Sequence, residues 1–371
     1  MKHPVAEADY VIIGAGAAAM AFADTLLSES DATMVLVDRR DRPGGHWNDA
    51  YPFIRLHSPA IFYGVNSAPL GGDRIDATGL NRGHLELATG SEICGYFDQV
   101  MRHTFLPSGR VKFLPLHDYG EGGYATSRMS GEKIRLVARR RIVDATNAQT
   151  QVPSTHPPKF PVAPGMIFVA PNELPRINKV AAGFVVIGSG KTAIDTAIWL
   201  IEQNVPPDNI TWIRPRDCWL YNRVHLQPRY DLAEGTIGGM VDEMEAAMEA
   251  TTCDELFDRL EARRALFRID TQVRPTMFRC AMVTGAELEA ARQVRNVVRL
   301  GRVTAITEDR IQLEHGEIPT SPKHLHINCA ADGVPVRPVL PIFQDGRIVL
   351  QFVQHCWPLF SAALIAFLEA S

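Results

Sequence analysis

The sequence predicts an α/β fold with two parallel sheets, because a strand–turn–helix unit with a glycine-rich turn occurs twice along its 371 residues. The first turn lies at residues 14–19 and the second at residues 188–193. Each turn directly follows a continuous apolar run and precedes small and apolar residues at helical spacing. Strands that are apolar throughout are typical of parallel sheets covered by helices on both faces.

The remaining elements follow from hydrophobic periodicity and from glycine and proline punctuation. Strands are predicted at residues 10–14, 34–37, 110–118, 131–146, 184–187, 210–213, 296–306, 310–314 and 324–329. Helices are predicted at residues 15–27, 91–105, 191–203, 239–267 and 359–370. The methionines within 240–248 recur at helical spacing, which is more typical of core filling than of a functional surface.

The composition is that of a globular protein long enough for two domains, with 46% hydrophobic and 22% charged residues. A net charge of −4 argues against a dedicated nucleic-acid binder. The longest apolar run, residues 359–368, is too short to span a bilayer, and no secretory signal pattern is visible, so we expect a cytoplasmic protein. The six cysteines show no CxxC and no metal-ligand spacing, so we expect reduced thiols and no metal site.

The first unit carries both halves of a dinucleotide fingerprint. Residues 14–19 read GxGxxA, and the next strand ends on Asp38. Gly14 permits the tight turn, Gly16 lets a pyrophosphate approach the helix N-terminus, and the small Ala19 lets helix and strand pack closely. Asp38 is placed to accept hydrogen bonds from a ribose. The pattern predicts a dinucleotide site.

The second unit repeats the GxGxxA turn, but the strand after it ends in Arg214. A carboxylate there prefers a free 2′-hydroxyl, whereas arginine pairs with a 2′-phosphate, so we expect NADPH over NADH. The alternative for Arg214 is a solvated surface charge. A nucleotide-hydrolase loop is excluded by spacing, because Val185 stands where that loop needs glycine. The predicted site comprises Gly188, Gly190, Lys191, Thr192, Arg214 and Arg216.

Residues 44–47 read GGHW, and Tyr51, Pro52 and Arg55 follow. This segment resembles the one that follows the first fold in flavin-containing and Baeyer–Villiger-type monooxygenases. The resemblance implies two Rossmann-like dinucleotide-binding domains, with the NAD(P)-binding one inserted into the FAD-binding one. It also implies an enzyme in which NADPH reduces FAD, and reduced FAD reacts with oxygen and a small organic substrate.

On this basis we expect residues 1–165 and 311–371 to form the FAD-binding domain and residues 166–310 the NAD(P)-binding domain, with a helical excursion at 239–267. The last helix would begin near the flavin, with Gln354 shortly before it. Asp332 is either a cofactor contact or a turn residue. The predicted FAD site comprises Gly14, Gly16, Ala19, Asp38, Arg39, Gly45, Trp47, Arg55 and Gln354.

Two further functions stay open. The family's histidine-containing signature between the two domains has no histidine in register at residues 168–175, which favours a dehydrogenase or electron-transfer flavoprotein without oxygen insertion. A nucleotide-sensing protein without turnover would also keep both folds. A disulfide reductase is disfavoured, because the local redox CxxC or CxxxxC is absent.

His57 is the candidate catalytic residue, because a histidine just behind the FAD loop can move a proton to or from substrate. The alternative is a hydrogen-bonded structural histidine. His225 follows the second unit's arginines, where a nicotinamide or substrate pocket can form. The last helix is expected to pack on its own core, with a membrane or a second subunit as the alternative, and an oligomer is possible.

Overall fold

The computed structural model describes residues 3–331, 333, 335, 337–354 and 356–371. The strands, in chain order, are β1 (Val5–Ile13), β2 (Met34–Val37), β3 (Val111–Leu114), β4 (His117–Gly120), β5 (Tyr124–Ser127), β6 (Lys133–Asp144), β7 (Ile167–Val169), β8 (Gly183–Ile187), β9 (Ile210–Ile213), β10 (Cys218–Asn222), β11 (Leu266–Phe267), β12 (Met277–Val283), β13 (Val297–Val298), β14 (Val303–Ile306), β15 (Arg310–Leu313), β16 (Gly316–Pro319), β17 (His324–Asn328), β18 (Phe343–Gln344) and β19 (Arg347–Val349). The helices are α1 (Ala17–Glu29), α2 (Gly90–Val100), α3 (Lys191–Glu202), α4 (Ala233–Glu249), α5 (Cys253–Ala262), α6 (Gly285–Arg292) and α7 (Pro358–Ala370).

The first unit is built on a sheet with strand order β18-β19-β6-β1-β2-β3, to which β5 adds through β6 and β4 through β5. β1 pairs in parallel with both β2 and β6, and its core side chains are buried, as the continuous apolar run predicts. The C-terminal strands β18 and β19 complete this sheet, and α7 packs against α1. The chain therefore leaves the first unit and returns to it.

The second unit is a parallel sheet with strand order β13-β9-β8-β17-β7. β17 lies between β8 and β7, and the antiparallel strands β14, β15 and β16 form a small sheet beside it. The chain thus stays in the second unit through Asn328. It returns to the first unit between Asn328 and β18, and not at residue 311 as expected. One apolar strand does not reveal which of two sheets it joins, so this boundary required the tertiary structure.

The helical excursion consists of α4 and α5, separated by residues 250–252. The expectation that its methionines fill the core is wrong, because Met240, Met244 and Met248 are 53%, 65% and 86% exposed. The opposite face of α4 packs closely instead. A Cβ at Gly239 would overlap the ring of His225, so the absence of a side chain at Gly239 lets α4 pack directly against His225.

The expectation of six reduced thiols is also wrong, because Cys280 and Cys356 form a disulfide. Their Cα atoms lie 6.8 Å apart although 76 residues separate them along the chain. Cys280 belongs to β12 and Cys356 precedes α7, so the bond joins the two units. Spacing rules detect only local cysteine motifs and could not reveal this pair. The free cysteines are Cys94, Cys218, Cys253 and Cys329.

Among the described residues, no helix combines the length and the apolar character needed to cross a bilayer.

Candidate functional site

The first glycine-rich turn has the geometry of an anion site at a helix N-terminus. Gly14 has φ +99°, and its N–H donates to the Val37 carbonyl at 2.7 Å. Gly16 is the extended N-cap of α1 and has no side chain to cap the first helical amides. These amides are therefore available to the oxygens of a pyrophosphate.

The loop at residues 44–47 covers this turn by backbone-to-backbone contact. The Gly44 N–H donates to the Ala15 carbonyl at 2.9 Å. Gly45 has φ +58°, and a Cβ built there would lie 2.9 Å from the Gly16 Cα. Because no side chain fits between the two segments, the double glycine is required by close approach and by the left-handed backbone.

Asp38 fixes the turn from the end of β2. One carboxylate oxygen accepts the Ala15 N–H at 2.6 Å, and the other accepts the Arg40 N–H at 2.8 Å. The side chain is buried but lines the adjacent cavity. Since a carboxylate can accept several hydrogen bonds, Asp38 retains acceptor capacity for a ribose hydroxyl.

A cavity of about 1300 Å³ extends from Asp38 and the first turn to the beginning of α7. Trp47 also lines the cavity and is held there, because its indole N–H donates to the Tyr63 hydroxyl at 2.7 Å. The cavity wall also includes His57, Trp357 and the disulfide. The volume exceeds that of common drug-sized sites and suits an extended dinucleotide.

His57 is a neutral side chain on the cavity wall. Burial, and then the positive charges of Lys191 and Arg223, lower the pKa of His57 to about 3. Its Nδ1 atom is buried and has no hydrogen-bond partner within the described part of the chain. A neutral imidazole with an unsatisfied ring nitrogen is available to a polar ligand atom.

The second glycine-rich turn repeats the geometry of the first. Gly188 has φ +134°, its N–H donates to the Ile213 carbonyl at 3.0 Å, and Gly190 is the extended N-cap of α3. Gly188 thus corresponds to Gly14, whose N–H is bonded to the end of β2, and Gly190 corresponds to Gly16, the N-cap of α1. The two turns are thus structurally equivalent, although Gly188 and Gly190 lie outside the large cavity.

Arg214 is not the solvated surface charge that the alternative required. Its side chain is 3% exposed, and its guanidinium lies 4.9 Å from the centre of the Trp212 ring. Nη1 is 3.3 Å from an Asp217 carboxylate oxygen, yet Nε and Nη1 make no hydrogen bond in the described residues. Burial lowers the pKa of Arg214. A buried guanidinium with spare donors fits a phosphate ligand. Arg216, in contrast, is exposed.

A charged network covers the start of α3. Lys191 pairs with Asp195 and lies 3.6 Å from Glu287. Tyr51 donates its hydroxyl to Asp195 at 2.7 Å. Burial alone would raise the pKa of Glu287, but Lys191 and Arg223 lower it to about 2. Both carboxylates of the network, Asp195 and Glu287, are therefore paired with cations.

Arg223 is the centre of this network and is completely buried. It lies 2.8 Å from Glu287, and it donates to the His57 carbonyl and to the Asn81 side chain at 2.9 Å each. It therefore ties the second unit to the segment that carries His57. Sequence reasoning missed Arg223 and Glu287. The Thr284-x-x-Glu287 capping box marks the start of α6, but nothing local reveals the pairing.

The remaining predicted residues are distributed as follows. Arg39 lines the cavity, and Ala19 is buried in α1, where it packs. Arg55 and Gln354 are exposed and do not line the cavity, whereas Gln351 and Cys356 do line it.

Thr192 lies in the first turn of α3, and His225 lies beneath α4. Asp332 is outside the described residues.

The fold and the two turns define a protein with two dinucleotide-binding units. A family model described as an NAD(P)-binding Rossmann-like domain matches residues 12–64. The uncharacterized protein Rv2000 of Mycobacterium tuberculosis is 47% identical over 364 residues, which cover 98% of this chain and 67% of the relative. The chain belongs to the same protein family as Rv2000.

Two solved structures share the fold. An oxidized steroid monooxygenase bound to NADP gives a TM-score of 0.59 at 16% identity, covering 98% of this chain and 84% of that one. A flavin-containing monooxygenase from Stenotrophomonas maltophilia gives 0.54 at 14% identity, covering 98% and 97%. The predicted fold class and the resemblance in fold are confirmed, and the family model agrees with the prediction of a nicotinamide-nucleotide cofactor.

Proposed function

We propose that this protein is an FAD- and NADPH-dependent oxidoreductase of the monooxygenase type, acting on a small organic substrate. The observation that carries the proposal is one continuous cavity lined by the first glycine-rich turn, by the beginning of α7 and by residues of both units. When bound there, FAD would accept a hydride from NADPH and pass electrons to oxygen.

The residues that line the cavity fit the parts of such a cofactor. The turn with Gly14 and Gly16 would bind the pyrophosphate, and Asp38 the adenosine ribose. Trp47 would cover the middle of the cofactor. His57 and the N-terminus of α7, which begins with Pro358, would face the ring system, where helix amides stabilise negative charge.

The test is anaerobic stopped-flow absorbance of the protein reconstituted with FAD. NADPH should bleach the flavin, and oxygen with a set of small organic substrates should change the rate of reoxidation and give oxygenated product. Protein that cannot be reconstituted with FAD would remove the proposal. NADPH consumption that yields only hydrogen peroxide or reduced acceptor would instead support the electron-transfer alternative, and bound cofactor without bleaching would support the nucleotide sensor.

Arg214→Ala tests the second turn. We expect this variant to weaken NADPH binding by roughly 10- to 100-fold and to leave NADH binding nearly unchanged, because charge-assisted hydrogen bonds to the 2′-phosphate are lost. The measurement is the apparent affinity for each nucleotide in anaerobic flavin reduction. Arg302→Ala is the control, since it removes an exposed charge of the second unit outside the predicted nucleotide site. An unchanged preference for NADPH in the Arg214 variant would contradict the assignment.

His57→Leu tests the proposed catalytic residue. We expect turnover to fall roughly 100-fold, at the low end of the range for a positioned proton-transfer group, and His57→Gln to retain part of the rate. Because the pKa of His57 is about 3, the wild-type pH profile should show no inflection from this group between about pH 5 and 8. Unchanged turnover in a His57→Leu protein that still binds FAD would show a purely structural role.

A further inference from the structure

The disulfide between Cys280 and Cys356 lies on the wall of the cavity and not in a hydrophobic core. It lines the same cavity as His57 and Trp357, which would face the ring system of FAD under the proposed function. One cysteine comes from each unit. The bond is therefore placed where electrons from the cofactor would be available.

The backbone presents Cys280 to the cavity by an irregularity in β12. The pairing of β10 with β12 shifts register between Trp219 and Tyr221, which face Phe278 and Met282, so Cys280 lies in the bulge. Cys280 has φ 53°, and Cys356 has φ 67°. Residues other than glycine rarely adopt this left-handed backbone conformation, and those that do cluster at functional sites.

The surroundings of the pair favour its reduction to thiols. Cys280 is only half-buried and Cys356 is exposed, and accessible disulfides are the ones most easily reduced. Cys356 directly precedes Trp357, the N-cap of α7, and the free amides of that thirteen-residue helix stabilise a nearby thiolate. Arg279 lines the same cavity and adds a positive charge.

We propose that Cys280 and Cys356 form a redox-active pair that accepts electrons from NADPH through the bound FAD. In this step the S–S bond breaks, the hydride of NADPH supplies two electrons and one proton, and solvent supplies the second proton. NADPH and the disulfide are thereby converted to NADP⁺ and two thiols. The inference rests on the proposed function, because the flavin carries the electrons between the two.

The test is peptide mapping of the FAD-loaded protein, purified without reductant and kept anaerobic. Before NADPH is added, alkylation in denaturant should label only Cys94, Cys218, Cys253 and Cys329. After NADPH, it should also label Cys280 and Cys356. The flavin absorbance is recorded in the same sample, so that cofactor reduction and thiol formation are followed separately.

A reductive titration gives an independent measure. The wild type should consume about two equivalents of NADPH per chain, whereas Cys280→Ser and Cys356→Ser should consume about one, because only the flavin remains to be reduced. Cys218→Ser is the matched control and should still consume about two, since that cysteine is a free thiol.

Failure of the inference differs from failure of the proposed function. If NADPH bleaches the flavin but the two peptides stay linked and about one equivalent is consumed, the disulfide is a structural tether and the redox role is overturned. The same holds if both cysteines are labelled before NADPH is added. If the flavin does not bleach with NADPH, the proposed function fails and the electron path to the pair fails with it.

Discussion

Gly45→Ala is expected to weaken FAD binding by about 100-fold, or about 2.7 kcal/mol. A Cβ at this position would lie 2.9 Å from the Gly16 Cα, and the φ of +58° disfavours any side chain. Backbone strain and overpacking each cost about 1–3 kcal/mol, so their sum covers the expected loss. The loop at residues 44–47 must move away from the first glycine-rich turn, and the measurement is the dissociation constant of FAD by flavin fluorescence.

Gly109→Ala is the matched control for this variant. Gly109 has φ +68°, but no atom lies within 4 Å of the Cβ that alanine would add. It therefore carries the same backbone penalty without the contact against the turn, and FAD binding should stay close to that of the wild type. Equal losses in both variants would show that general destabilisation, and not the loop contact, is responsible.

Arg223→Leu is expected to lower the free energy of unfolding by about 3–5 kcal/mol, because it leaves the buried Glu287 carboxylate with a single cation, Lys191 at 3.6 Å. Arg223 is completely buried and holds the Glu287 carboxylate, the His57 carbonyl and the Asn81 side chain. All three would lose a donor in the variant. The measurement is the midpoint and slope of denaturant unfolding, followed by fluorescence.

Arg310→Leu is the comparison for Arg223→Leu. Arg310 is 48% exposed and pairs with Glu317 on the surface, so its loss should cost less than about 1 kcal/mol. The double variant Arg223→Leu, Glu287→Leu should recover part of the stability lost in the single one, because no carboxylate is then left without its partner. A single-variant cost below about 1 kcal/mol would contradict the proposed role of the network.

The sequence by itself determined the two glycine-rich turns, the strands and helices that flank them, and the position of Asp38 at the end of β2. These features depend on residues close together along the chain, where turn geometry and helix capping act. Through the resemblance of the GGHW segment, it also assigned Gly45 and Trp47 to the predicted FAD site.

Tertiary structure alone decided which distant segments meet. It brought Cys280 to Cys356, joined Arg223 to Glu287, buried Arg214 and assigned β17 to the second sheet. It also exposed the methionines of α4, whose spacing predicts a buried face. Periodicity shows that a helix has an apolar face, but not whether another element covers it, because that depends on contacts between segments far apart in the chain.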